Sequence, residues 1–402
     1  MTGPAATPTG TVDGTVDGTV HGTVAGGFED VRAAFEAAAA AEPGLDAQLA
    51  AYAGGRRVVD LWTGDGVDGG SLLSLYSSAK GAAHLVVALL VQDGVLDLDR
   101  RVAEYWPEFA AEGKDGLTLR DLLAHRAGLI GVDGGFRTDE LADDRLLAQR
   151  LAGQRPHWRP GTAYGYHAFV IGALTGEVVR RATGRSIQEL YRERIRDPYD
   201  LDFHLGLPED LEARYVPVQP VLLPPGARDE PPAPGTLTGI AFNLNADPPT
   251  DLVAFGRTRA VRALGPASSG GVGNARGLAK MYAAAIGETD GRPPLLAPAT
   301  LAEFTAPHSP GTDLVTGERD HFLLGFEAQG VRYPFLDPDA FGHSGAVGAQ
   351  SFADPRSGVA YAYTRRRFSY GGGGGAPENR ALAAAVVRAA ASRPAGRSSS
   401  GT

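Results

Sequence analysis

The sequence predicts an α+β fold: one antiparallel sheet built from both ends of the chain, flanked by N- and C-terminal helices, with an all-helical lobe inserted and a cleft between the two. Three observations predict it. Strand-like runs occur near the start and return only near the end. The long interval between them is helix-rich, and a helical pattern opens and closes the whole. A single sheet fed by both termini satisfies that order with the fewest layers. With 402 residues, 43% of them hydrophobic, the chain can bury a large core.

Taken in order, residues 1–26 carry a G-T-V-x repeat from Gly10 to Val24. Its units are too short to stack as a solenoid, so this stretch is expected to be a flexible tail. Phe28, Val31, Phe35 and Ala38 recur at helical spacing until Pro43-Gly44 stops the run. "AQLAAYAGGRRVVDLWTG" reads as two strands joined at Gly54-Gly55, a hairpin signal. A long apolar helix is expected from about Ser77 to Gly94. "TLRDLLAHRAGL", "VIGALTGEVVRRATG" and "SIQELYRERIRDPY" read as further helices. The proline-rich segment 206–237 is expected to run over the surface, because loops of this length are uncommon inside a domain. "FLLGFEAQGV", "AFGHSGAVGAQSFADP" and "GVAYAYTRRRF" read as a strand meander, and "PENRALAAAVVRAAASR" as the closing helix. Residues 27–94 and 266–391 are thus assigned to the α/β lobe, 95–265 to the helical lobe, and 392–402 to a flexible C-terminal tail.

The formal charge is −9 and the sequence pI about 5.5, with one dense basic run at Arg365, Arg366 and Arg367. Nucleic acid or an anionic membrane is therefore not expected as a partner. There is no cysteine, so thiolate catalysis and disulfides are excluded, which fits a reducing compartment. The N-terminus lacks a basic n-region and an apolar h-region, and no stretch is apolar enough to span a bilayer. A cytoplasmic location is expected. The nine histidines show no metal-ligand spacing, and neither a Gly-x-Ser-x-Gly elbow nor a phosphate loop occurs. No metal or cofactor is expected.

Three motifs carry chemistry. In "SLYSSAKGAAHLVV", Ser77 and Lys80 lie three residues apart, one helical turn, so the amine can reach the hydroxyl. A serine attacks only when a neighbour accepts its proton, and a lysine does so only if its pKa is depressed. The plainer alternative is a capping serine beside a solvated lysine. In "WRPGTAYGYHAFVIGALTGEVV", a turn leads into Tyr164, Tyr166 and His167. A tyrosine there could shuttle a proton, although a core aromatic at a helix start is the simpler reading of the segment alone. In "FGHSGAVGAQSFADP", the small residues that dominate Gly342 to Gly348 suit a strand that must approach a substrate closely with its backbone N–H groups unblocked, or a bulge or tight bend.

Together and in this order, the three motifs resemble the serine β-lactamase and penicillin-binding-protein superfamily. Within it the chain is most similar to the class C β-lactamase-related, family VIII carboxylesterase-like branch. "LLAHRAGL" and "PASSGGVGNARGLAKMYAA" extend the resemblance, which covers about residues 20–390. It implies a β-lactamase/transpeptidase-like fold with the site between its lobes. It implies Ser77 as acylated nucleophile, Lys80 as base and Tyr166 as proton relay. The oxyanion hole would be the backbone N–H groups of Ser77 and Ala346. His343, Ser344, Gly345, His167 and Tyr164 would contact substrate. Two positions depart from the family pattern: Ala168 replaces the asparagine of Tyr-x-Asn, and His343-Ser344-Gly345 replaces Lys-Thr-Gly. The first removes a side chain that commonly contacts a β-lactam amide and the second a positive charge for a substrate carboxylate, so both disfavour a β-lactamase or a peptidase acting on C-terminal carboxylates. The expected activity is therefore hydrolysis of a small-molecule acyl ester. The alternative is acyl transfer to an amine or alcohol in secondary metabolism, with β-lactamase or D-amino-acid peptidase activity ranked below both.

Overall fold

The computed structural model of the protein describes residues 19–228, 230–371 and 374–392. The tail expected over residues 1–18 and nearly all of that over 392–402 lie outside them. Ten strands are defined: β1 (Val20–Val24), β2 (Ala47–Ala53), β3 (Arg56–Thr63), β4 (Leu73–Tyr76), β5 (Phe203–Leu205), β6 (Gly271–Gly273), β7 (Glu327–Ala328), β8 (Phe341–Ser344), β9 (Gln350–Asp354) and β10 (Val359–Arg365). Five helices matter here: α1 (Glu29–Ala41), α2 (Ala79–Gln92), α3 (Ile171–Thr183), α4 (Ala275–Ile286) and α5 (Asn379–Ala391).

Seven strands form one sheet in the order β1-β3-β2-β10-β9-β8-β7, every pair antiparallel. The C-terminal strand β10 thus lies between β2 and β9, with Val359 opposite Ala53 and Arg365 opposite Ala47. Both faces of the sheet are covered. Ala47, Leu49 and Ala51 join Val31 and Phe35 of α1 and Leu382 and Val386 of α5 in one core. Ala50 and Tyr52, pointing the other way, join Leu278 and Tyr282 of α4 in a second. This burial on two sides explains why β2 shows no polar alternation.

The inward stripe of α1 is Val31, Phe35 and Ala39; Ala38, expected there, is only half-buried. The hairpin turn falls on Gly54 and Gly55, with φ of 58° and 73°. Two successive positive φ values are what a tight two-residue hairpin turn demands. A Cβ on Gly55 would also sit 1.8 Å from the Glu288 carbonyl oxygen.

Several expectations need correction. Residues 20–24, assigned to the tail, form edge strand β1 on β3. Arg32 of α1 holds this strand down by donating to the carbonyls of Val20 (3.3 Å) and Gly22 (2.6 Å). Helix α2 begins at Ala79, so Ser77 stands in the turn before it. "TLRDLLAHRAGL" is helical only over Leu119–Leu123, because His125 takes a left-handed φ of 57°. "FLLGFEAQGV" contributes just the two residues of β7, since Gly325 turns the chain (φ 78°) and Gln329–Arg332 coils into a helical turn. A second sheet, β4-β6-β5, was not anticipated; its strands are three or four residues long and too short to show a period. Segment 206–237 is largely irregular, with one 3₁₀ turn at Glu209–Arg214.

Every residue of α2 from Ala79 to Leu90 is buried. A helix buried on every side belongs at the centre, and α2 packs against α3, the Ile187–Tyr191 helix and β8. Gly55→Ala is expected to lower unfolding free energy by about 2 kcal/mol or more, through a strained φ and the contact with Glu288. Urea denaturation of wild type and variant measures it.

Candidate active site

Strand β4 delivers Ser77 to the cleft through Tyr76, whose φ of 47° is left-handed. A non-glycine residue there costs roughly 1–3 kcal/mol and persists only when its surroundings impose it. Here the Tyr76 hydroxyl donates to the Leu252 carbonyl at 2.8 Å, and its ring packs edge-on to Phe368. The bend turns Ser77 out of the line of β4, ahead of α2.

Two groups reach the Ser77 hydroxyl. Tyr166 Oη donates to Ser77 Oγ at 2.8 Å, and Lys80 Nζ lies 3.1 Å from the same oxygen. Lys80 is fully buried and also donates to the carbonyls of Ala168 (2.7 Å) and Ser268 (2.8 Å). Those carbonyls accept two N–H bonds, so the remaining tetrahedral position of the nitrogen, proton or lone pair, faces Ser77. Burial lowers the Lys80 pKa to about 7, against the upward pull of Glu327 and Asp144. Near neutrality much of the amine is therefore unprotonated and able to accept the serine proton. Burial pushes the Tyr166 phenol well above its ordinary range, so it stays a proton donor. Its ring stacks on Phe322 at 5.5 Å, and Lys80 Nζ sits 4.9 Å from its centre.

The loop carrying Tyr166 is suspended from its neighbours. Asp313 Oδ1 accepts the Tyr166 N–H (3.2 Å), the His125 carbonyl accepts from Gly165 (3.1 Å), and His125 Nδ1 accepts from the N–H of His167 (3.1 Å). An imidazole nitrogen accepts only when unprotonated, and burial keeps His125 well below its usual pKa. The Ser268 carbonyl is fixed comparably. Ser268 Oγ accepts the Gly172 N–H at 2.6 Å, and half-buried Asp144 accepts the N–H of Ala267 at 2.8 Å.

Strand β8 ends at Ser344, which donates to Glu327 through both its hydroxyl (2.6 Å) and its N–H (3.1 Å). Burial alone would raise the Glu327 pKa, but His343, Arg332 and Ser344 hold it well below the usual carboxylate range. A Cβ on Gly345 would lie 2.4 Å from the Leu75 carbonyl oxygen. The small residues of this stretch thus let β8 close on the β4–α2 turn.

A cleft of about 450 Å³ opens over Ser77. Of the residues singled out in the sequence, Ser77, Tyr166, Ser344 and Ala346 line it. His343, Gly345, His167 and Tyr164 are buried behind it. His343 faces Glu327 and the Ser344 carbonyl, and burial lowers its pKa to about 4, so it brings no positive charge at neutral pH. Tyr164 Oη donates to the Gly311 carbonyl, and His167 Nδ1 pairs with the carbonyl of Gly165. Sequence reasoning missed His125, Asp144, Asp313 and Glu327. The only trace of the first was the segment "LLAHRAGL".

The Beta-lactamase family description matches residues 31–385. Esterase/beta-lactamase LipL of Mycobacterium tuberculosis is 32% identical over 341 residues, covering 79% of this chain and 76% of LipL. Among solved structures, EstA from Arthrobacter nitroguajacolicus Rue61a superposes with a TM-score of 0.85 at 39% identity, covering 92% of this chain and 98% of EstA. A family VIII carboxylesterase gives 0.83 at 33%, covering 92% and 100%.

His125→Leu removes an acceptor but keeps the side-chain volume. It is expected to lower kcat at least about tenfold through misplacement of Tyr166, with KM changed much less. Steady-state kinetics on a p-nitrophenyl ester separates the two parameters.

Proposed function

This chain belongs to the Beta-lactamase family, and we propose that it is a serine carboxylesterase working through an acyl-enzyme on Ser77. Its fold is the β-lactamase/transpeptidase-like α+β fold. The observation that carries the reading is the convergence of Lys80 Nζ and Tyr166 Oη on one serine oxygen, at 3.1 and 2.8 Å. The named esterases among its relatives support the same class of reaction.

In this reading Ser77 Oγ attacks the ester carbonyl while its proton passes to the neutral Lys80 amine. The carbonyl oxygen, now negative, meets the backbone N–H groups of Ser77 and Ala346. As the tetrahedral intermediate collapses, Tyr166 protonates the departing alkoxide and regains a proton from Lys80. Water, deprotonated by the same pair, then attacks the acyl-enzyme, releasing the acid and restoring Ser77. Neutral His343 leaves no fixed charge for a substrate carboxylate, which favours a neutral acyl group over a β-lactam or a C-terminal peptide. The cysteine-free sequence favours the cytoplasm. No described helix is long and apolar enough to cross a membrane.

A second reading, acyl transfer to an alcohol or amine of secondary metabolism, is favoured by the apolar cleft wall of Phe242, Leu252, Val315, Phe322 and Phe368. Such a wall can hold an organic acceptor in place of water. Product analysis with saturating acceptor distinguishes the two: free acid alone rules out transfer.

Ser77→Ala is expected to lose at least about 10⁴-fold in kcat and to show no fluorophosphonate adduct by mass spectrometry, with unchanged circular dichroism. An adduct elsewhere, or full activity, would refute the assignment. The pH profile supplies a separate test. Lys80 is active when neutral, so kcat/KM should fall on the acid side with an apparent pKa of about 7. Asp144 pulls the Lys80 pKa upward. Asp144→Asn, which retains an acceptor for Ala267, should therefore move this limb to lower pH.

A further inference from the structure

The Tyr166 loop and one wall of the cleft meet at a single buried carboxylate. Asp313 Oδ1 accepts three backbone N–H groups: Tyr166 at 3.2 Å, Val315 at 2.7 Å and Thr316 at 2.9 Å. Tyr166, Val315 and Thr316 all line the cleft with Ser77, whereas Asp313 is not among the lining residues. Its other oxygen, Oδ2, stands 3.5 Å from His321 Nε2 and has no hydrogen-bond partner. The whole fastening therefore runs through one oxygen.

Shaping a turn does not by itself call for this arrangement. Asp251 Oδ1 accepts the N–H groups of Val253 (2.8 Å) and Ala254 (3.2 Å), the same local pair, from an exposed position. Asp313 is only 1% exposed, and burying a carboxyl costs free energy. What distinguishes it from Asp251 is the third donor, Tyr166, which lies 147 residues away in the chain. The backbone continues the same seam. The Leu314 N–H donates to the Tyr164 carbonyl (3.0 Å), and Tyr164 Oη donates to the Gly311 carbonyl (2.8 Å). From the opposite side, Thr238 Oγ donates to the Val315 carbonyl at 2.5 Å.

We propose that Asp313 is a positioning residue that sets the Tyr166 phenol and the Val315–Thr316 wall in one register, so that a leaving alcohol resting on that wall meets its proton donor. The inference rests on the esterase reading and deepens it, by assigning what fixes the relay relative to the substrate. Its consequence falls on alcohols that need a proton. A nitrophenolate departs unaided, whereas an alkoxide must be protonated as its C–O bond breaks. Loss of the fastening therefore weighs on alkyl esters, while a general loss of folded protein weighs on all esters alike.

The p-nitrophenyl, phenyl and ethyl esters of butyric acid, which share one acyl group, test it through kcat/KM, a quantity that covers acylation alone. Asp313→Leu should lower kcat/KM for ethyl butyrate at least about tenfold more than for the nitrophenyl ester, with phenyl butyrate between them. Asp313→Asn keeps one carbonyl oxygen for the three N–H groups and should hold the ethyl-to-nitrophenyl ratio within about twofold of wild type. Should the leucine variant not fold, Asp313→Glu, which displaces the oxygen by one methylene, should still lower that ratio about threefold or more. Equal losses on all three esters in whichever of these variants folds, or an asparagine variant with its ratio as impaired as theirs, would overturn the positioning role and leave the esterase standing. Wild-type protein that cleaves the nitrophenyl ester alone would do the same. Wild-type protein that cleaves none of the three would overturn both.

Discussion

The proposed chemistry of the cleft depends on where one buried amine is held. Lys80 can serve Ser77 only if its nitrogen is desolvated yet oriented, and two backbone carbonyls do both. The carbonyls come from Ala168 and Ser268, a hundred residues apart, each fixed by its own partners. One precedes α3 in the helical interval; the other lies just ahead of β6 and α4. The sheet and the helices must therefore pack together around α2 before the amine has its geometry. A helix that is buried on every side, and largely apolar, is the element able to sit in both environments at once.

The surroundings of Lys80 are electrically quiet. His84, His125, His167 and His343 are all fully buried, and burial holds each below the usual imidazole range. Charged imidazoles at these positions would drive the lysine proton off and destabilise the core. Neutral ones let two carboxylates, Glu327 and Asp144, offset part of the desolvation. Polar groups are thus placed close to the amine without stripping it of all basicity. The strain at Tyr76 is the backbone counterpart, an unfavourable conformation tolerated because the surrounding contacts impose it.

Much of this was legible in the sequence, for identifiable reasons. The Gly54-Gly55 turn, the α1 stripe and the closing helix α5 follow local rules that need no tertiary context. Ser77 and Lys80 were legible as a pair one helical turn apart, whereas Tyr166 stood out only through the resemblance of the three motifs taken together. The strand at Val20–Val24 was hidden, since its stability comes from β3 and from Arg32 rather than from its own residues. His125 and Asp313 were hidden for a related reason: each serves by holding backbone N–H groups, a role that leaves no mark in composition or spacing. His343 shows the opposite error. The resemblance implied a substrate contact there, and the fold turned its ring inward toward Glu327.

The position of β10 bears on how the protein is made. Hairpin β2–β3 is local, but β2's other edge waits for a strand some 300 residues further along the chain. Until β10 arrives, β2 presents an unpaired edge, and β8 and β9 have no sheet to join. Long-range pairing of this kind is slow and leaves sticky surface exposed meanwhile. During synthesis Ser77 and α2 would emerge early and spend most of translation without the turn between β8 and β9 that carries Ala346. The proposed activity would therefore switch on as a late, all-or-none event, and a chain truncated before β10 would be an aggregation hazard rather than a partly assembled site.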